Sequence, residues 1–210
     1  MRIDEAVVHD LSHELGNYFH KLYYYTESVA SGADPGDPEG SAAQKLGETV
    51  QRLQGFLNLA LEYFQPARLN AVPMSAGDVA RALEALLRGE HPEASVDVRC
   101  APGAADAAVM IDPTRLSSGL RIVARQLADA AGPGTTLHAG IERRAAGGRG
   151  VLEIAIEAEG AVVDESRRPA HRVVEWAVAG RMIELHGGEL VTNESRPGAS
   201  GCVLTLPLSS

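Results

Sequence analysis

Three histidines recur at helical spacing near the start of this chain: His9, His13 and His20, within "VVHDLSHELGNYFHKLYYYTE", Val7 to Glu27. An imidazole can accept a phosphoryl or acyl group as a nucleophile, move a proton, or bind a metal. Nucleophilic use needs an exposed nitrogen with a free lone pair, and a neighbour that holds the tautomer or takes the proton. On a helix the three histidines fall within a band roughly 40° wide, nearly opposite Leu11, Leu15, Tyr18 and Leu22, so they are expected in solvent. Glu14 is the neighbour able to serve His13. Gly16 leaves open surface beside the ring. Asn17, four residues on, shares the His13 face and can orient a water or a phosphoryl group. A shared zinc between His9 and His13 lacks a third ligand, and "HELGN" has Asn17 where H-E-x-x-H needs its second histidine, so no metal site is expected. His20 reads as a solvated surface residue.

These residues must be carried by a helix. Ile3, Val7, Leu11, Leu15, Tyr18, Leu22, Tyr25 and Val29 recur at three- and four-residue steps, the apolar stripe of an amphipathic helix. "SGADPGDPEG", Ser31–Gly40, interrupts it with loop-forming residues. A second helix follows from about Ser41, with Leu46, Val50, Leu53, Leu57, Leu61 and Phe64 on one face and Pro66 closing it. Two helices cannot enclose a core alone; pairing with a second copy into a four-helix bundle is the usual remedy, and a homodimer through this hairpin is expected. The alternative is a hairpin packed on the rest of its own chain.

From Val72 the pattern changes. "AGDVARALEALLRG" reads as a helix, "ASVDVRC" and "AAVMID" as strands, and "DPTRLSSGLRIVARQLADAAG" as a helix capped by Asp112, with Pro113 in its first turn and Gly132 as its stop. Two strands follow, "TTLHAGIERR" and "GVLEIAIEAE", joined by "AAGGRG". The helix "AHRVVEWAVAGRMIELHGG" has Trp176 and Met182 as candidate core and stops on a glycine pair, with His186 a cation suited to the helix C-terminus. "ELVTNE" and "GCVLTLPL" are the last strands. The expected fold is α+β: a helical hairpin over residues 1–68, then a two-layer α/β sandwich over 69–210.

Composition narrows the function. A net charge of −9 over 210 residues leaves no basic stripe for nucleic acid. "ERRAAGGRG" and "ESRRPAHR" read as loops rather than binding patches. No apolar run approaches the roughly 18 residues of a membrane span, and "MRIDEAVVHD" lacks the pattern of a signal peptide, so a cytoplasmic protein without membrane contact is expected. Cys100 and Cys202 stand alone, implying neither a disulfide framework nor a cysteine zinc site.

The order of elements resembles the cytoplasmic core of bacterial sensor histidine kinases, and the resemblance covers nearly the whole chain. "SHELGN", Ser12–Asn17, is similar to that family's phosphoacceptor box, "MIDPTRLSSGLRIVARQL" to the lead into its asparagine-rich helix, and "RMIELHGGELVTNESRPGASGCVLTLPL" to its terminal helix and last two strands. The resemblance implies a dimerising hairpin with the phosphorylated histidine, followed by an ATP-binding sandwich of the Bergerat type. His13 is then the phosphoacceptor, assisted by Glu14 and Asn17. His9, in "HDL", is the alternative acceptor, and Asn17 takes a position to which the family gives a phosphatase role. The proline expected five residues after the acceptor is absent, with Tyr18 there instead.

Other departures fall on nucleotide chemistry. Ile122 and Gln126 stand where magnesium-binding asparagines are expected, and isoleucine offers a hard cation no oxygen. "EAEGA", Glu157–Ala161, replaces an Asp-x-Gly-x-Gly turn. "HRVVEW" replaces the phosphate loop, and few residues remain for a lid after Gly160. Glu159 and Glu175 are expected to repel a triphosphate. The resemblance therefore implies a histidine phosphotransferase, a kinase-like scaffold without ATP-dependent autophosphorylation. It would exchange phosphoryl groups with receiver-domain aspartates and bind no cofactor, the magnesium coming with the receiver. The alternatives are a non-catalytic kinase-like dimer that sequesters a response regulator or kinase, and a divergent active kinase.

Overall fold

The structure, a computed structural model, describes residues 5–31, 41–64, 68–130, 134–159, 172–192 and 200–209. Most of the Gly/Pro/Asp loop, Pro66, Gly132, and Gly160 with the segment after it lie outside the described residues. The chain divides into two compact units, Met1–Gln65 with Val173–Ala177, and Pro66–Arg172 with Val178–Ser210. No described helix is long and apolar enough to cross a membrane.

The first unit holds α1 (Glu5–Ala30) and α2 (Ala42–Phe64) packed on each other. Val7, Leu11 and Tyr18 of α1 and Ala42, Phe56 and Ala60 of α2 are buried, and the Tyr18 and Phe56 rings meet at 5.7 Å between centroids. Burial of each large side chain here contributes about 1.5–3 kcal/mol. The α2 face differs from the expected one. Thr49 lies in the buried set, its hydroxyl donating to the Lys45 carbonyl, whereas Val50, Leu57 and Leu61 stay 49%, 42% and 54% exposed. The apolar arc of α2 is wider than one helix contact. Its small and aromatic members seat α1, and its larger aliphatics lie roughly 100° around the helix. On α1, Val8, Phe19 and Tyr23 form a similar exposed flank, and Val29 at the helix end is exposed too.

In the second unit β1 (Val72–Ser75) pairs antiparallel with β3 (Ala108–Ile111) as a separate two-stranded sheet. The main sheet runs β2-β4-β5-β7-β6, from β2 (Ser95–Cys100), β4 (Thr136–Ala146), β5 (Arg149–Glu159), β6 (Glu189–Thr192) and β7 (Ser200–Pro207). Only β2–β4 is parallel, so the sheet is mixed. The helices α3 (Ala76–Glu90) and α4 (Pro113–Ala130) pack on each other and on the sheet, and α5 (Arg172–Leu185) contributes its part from Val178 onward to this unit. Leu137, Ala139, Ile141, Leu152, Ile154, Ile156, Leu204 and Leu206 alternate onto one buried face. This is the α+β sandwich expected from the sequence.

Local signals explain the boundaries. Ser75 caps α3 by accepting from the Asp78 N–H. The β4–β5 strands run on into "AAGGRG", leaving only Gly147–Gly148 as the turn, with φ of 56° and 78°, the two positive values a two-residue type I′ hairpin requires. The end of α5 is a Schellman motif: the Gly188 N–H donates to Ile183 O at 3.1 Å, and that of Gly187 to Glu184 O at 2.8 Å. Gly188 has a second constraint, because a Cβ there would sit 1.9 Å from the Thr205 carbonyl oxygen. Met182 is core as expected, whereas Trp176 is only half-buried.

Candidate functional site

The α1 geometry places His9, His13 and His20 on its exposed side. His13, with a side chain 65% exposed, is the one drawn into a cluster. Its Nδ1 lies 3.5 Å from Glu14 Oε1 and 3.3 Å from Asn17 Nδ2, and Asn17 Nδ2 donates to the same Glu14 oxygen at 3.3 Å. Among the described residues its contacts all use Nδ1, so Nε2 is the nitrogen left for an incoming group. Glu14 is anchored differently, its side chain only 7% exposed, within the face that holds Val7, Leu11 and Tyr18. A carboxylate fixed in that face and reaching the imidazole from below is a preorganised partner for a charge developing on the ring.

The amide orientation sets the tautomer. With Asn17 Nδ2 donating to Nδ1, the ring proton sits on Nε2; for Nε2 to attack, the proton must sit on Nδ1, where Glu14 Oε1 accepts it. A turn of the Asn17 amide exchanges donor for acceptor and supports that second state. Gly16 keeps this surface open, since an added Cβ would meet nothing within 4 Å. Burial raises the pKa of Tyr18, which lies under the cluster; the Glu14 charge adds to the rise and Arg52 opposes it. Among the described residues His9 and His20 make no such cluster. Asp10, beside His9, is half-buried, and its Oδ2 lies out of solvent with no hydrogen-bond partner among the described residues.

In the second unit Ile122 and Gln126 are buried in α4. One expectation about β5 needs correction. Strand alternation puts Leu152, Ile154, Ile156 and Ala158 inward, so Glu157 and Glu159 point to the face away from α3 and α4. There Glu159 Oε2 meets His138 Nε2 at 3.0 Å, and His138 Nδ1 lies 3.4 Å from Asp97. Neither β5 carboxylate is aimed at the α4 side, and the inward residue at this level is Ala158. The repulsion expected of Glu159 is therefore not part of the site. Glu175 is buried.

His186 is not a solvated cation. It is buried, its Nδ1 lies 2.6 Å from Met182 O, and its Nε2 accepts the Asp112 N–H at 3.0 Å, a pattern satisfied by the neutral ring with its proton on Nδ1. Asp112 caps α4 as expected: Oδ1 accepts from the Thr114 and Arg115 amides at 3.1 Å each, and Oδ2 accepts from Asn70 N at 2.9 Å. The Asn70 and Arg115 amides lead in lowering its pKa. This junction was legible only in part, because His186 is 74 residues from its partner. Among the described residues no group of three or more His, Cys, Asp or Glu is placed to hold a metal.

No protein-family model matches the chain, and no curated protein does. Solved structures do. The histidine kinase AdeS of Acinetobacter baumannii superposes with a TM-score of 0.64 at 16% identity, over 94% of this chain and 98% of that one. The histidine kinase ThkA, in complex with the response regulator protein TrrA, gives 0.70 at 15% identity over 98% of this chain and 62% of that one. The mycobacterial sensor histidine kinase MprB gives 0.52 at 16%, over 65% and 98%. At such identities the likeness is one of fold, and the fold is that of a histidine-kinase core: a helical hairpin followed by an ATPase-like α/β domain.

Proposed function

We propose that the chain is a histidine phosphotransferase of a two-component phosphorelay, with His13 as the phosphoryl carrier. The observation that carries this reading is the exposed His13 ring whose Nδ1 faces Glu14 and Asn17 on a kinase-like hairpin. Nε2 attacks the phosphorus of an aspartyl phosphate on a receiver domain. The N–P bond forms as the P–O bond breaks, and the electron pair leaves with the aspartate carboxylate. Positive charge grows on the ring, the proton stays on Nδ1, and Glu14 Oε1 faces it. The reverse sequence loads a second receiver. Asn17 orients the ring and, with water as acceptor, the hydrolysis of a receiver's phosphate. His9 is the alternative acceptor. Magnesium belongs to the partner's acidic site.

The ThkA–TrrA complex supports a response-regulator receiver as the partner. The unpartnered aliphatic flank of α2 and that of α1 support a homodimeric four-helix bundle, which would remove both flanks from water. We assign no ATP-dependent autokinase step, because Ile122 brings no oxygen to magnesium and the chain carries no asparagine at Gln126. Incubation with a phosphorylated receiver tests the reading. His13→Ala is expected to lose the acid-labile label while His9→Ala keeps it; a His13→Ala protein labelled like the wild type would refute the assignment.

A further inference from the structure

The main sheet carries α3 and α4 on one face, and its other face is a second surface with a distinct pattern. Strand pairing assigns the residues of that face directly, because partners across a ladder point the same way. Gly140 pairs with Ala155, Ala155 with Val203 and Val203 with Val191, so the four form one row across β4, β5, β7 and β6. The row is shallow and apolar. Val191 is 50% exposed, and a Cβ added at Gly140 would meet nothing within 4 Å.

Carboxylates border the row on both sides. Two residues along the strands in one direction, Glu142 pairs with Glu153, Glu153 with Thr205 and Thr205 with Glu189. In the other direction Asp97 pairs with His138, and His138 with Glu157. The cations beside the row are engaged. Arg144 bridges Glu142 at 3.0 Å and Glu153 at 3.2 Å, Arg99 holds Asp97 at 2.7 Å, and His138 lies between Asp97 and Glu159. Arg149 shares the face but sits at the hairpin tip, six residues along β5 from Ala155 or about 20 Å away. Glu157 and Glu189 are exposed, and among the described residues neither meets a cation. Two uncompensated carboxylates therefore stand on one face, on opposite sides of the Val203–Val191 pair.

We propose that this face docks an amphipathic basic helix of a partner protein, with its apolar strip on the Gly140–Val191 row and basic residues from its two flanks on Glu157 and Glu189. Dimensions and charge both choose that occupant. The two acidic borders lie about 13–14 Å apart, four residues of strand, and a helix with its side chains is about 10–12 Å wide. The row crosses four strands, about 14 Å, which is the length of about ten helical residues. Small floor residues let a helix approach closely, and an extended segment would pair along a sheet edge rather than across a face. The face does not use His13, so it stands whether or not that histidine carries phosphate.

The test titrates a fluorescein-labelled peptide of about 14 leucines and lysines, patterned as one apolar strip with lysine flanks, into the full-length protein at about 100 mM salt. A scrambled peptide of the same composition is expected to bind at least about fivefold more weakly. Glu157→Lys/Glu189→Lys is expected to weaken binding at least about tenfold. Val191→Asp is expected to weaken it at least about threefold although it adds a negative charge, because it removes apolar floor. The control Glu93→Lys/Asp106→Lys makes the same charge change at exposed positions before and after β2, and is expected to stay within about twofold of wild type. No binding to the wild type, equal binding of the scrambled peptide, or equal weakening in the control overturns the proposal. So does displacement by sub-millimolar spermidine, which would mark a site for small polycations. Unchanged melting temperatures establish that the variants are folded, and His13→Ala must bind the peptide like wild type.

Discussion

At the scale of single residues, what separates His13 from its two neighbours on α1 is Glu14. Glu14 was expected only as the neighbour of an exposed histidine, yet it lies three residues after Leu11 and four before Tyr18 and is buried with them. What spacing could not show is that the same carboxylate reaches His13 Nδ1 and shares Asn17 with it. Glu14→Gln is expected to slow transfer to and from the histidine by 10-fold or more, on the order of 1.4 kcal/mol of barrier, in a single-turnover assay with a phosphorylated receiver. Asp112 is a structural counterpart. Asp112→Ala removes three amide partners and is expected to cost about 1–3 kcal/mol in urea unfolding. Its folded carboxyl titrates below the ordinary value, so its stabilisation is full above that value and lost as pH falls through the folded one. Asp112→Asn should therefore flatten part of the acid limb of stability. Cys202 is buried with its thiol pushed up to about 12, and is expected to react with a thiol reagent at about pH 8 only after unfolding.

Among the elements, the strands and the late helices were legible because their periodicities are local. The β4–β5 turn is the exception: "AAGGRG" reads as a loop by composition, yet strand pairing continues to Ala146 and Arg149 because two adjacent glycines satisfy a type I′ turn. The α2 face was misread for a similar reason. Leucines and valines mark an apolar arc, but which part of it seats α1 depends on fit, and Ala42, Phe56 and Ala60 fit. If the remaining aliphatics serve a second copy, Leu57→Asp with Leu61→Asp should convert a dimer into a monomer by analytical ultracentrifugation; an unchanged mass would contradict the bundle. Gly188→Ala places a Cβ against the Thr205 carbonyl and is expected to cost about 3 kcal/mol or more. Gly16→Ala meets open space, and is expected to stabilise α1 by up to about 1 kcal/mol.

At the scale of the molecule, the order of elements was readable because the histidine-kinase core has local signals at each stage: hairpin stripe, capped α4, glycine stop after α5. The side-chain directions of β5 were not, since a turn motif aligned by residue type carries no information about which face of a strand it lies on. The nucleotide question then rests on α4, where Ile122 and Gln126 are buried. Millimolar ATP with magnesium is expected to leave the melting temperature unchanged, because a ligand bound to the folded state must raise it. The most direct test of the account is to mix the protein with a receiver carrying labelled aspartyl phosphate and map the modified residue by peptide mass. The account predicts one acid-labile, base-stable phosphoryl group on His13, absent when labelled ATP replaces the receiver. Label on another residue, no label, or label drawn from ATP alone would contradict it.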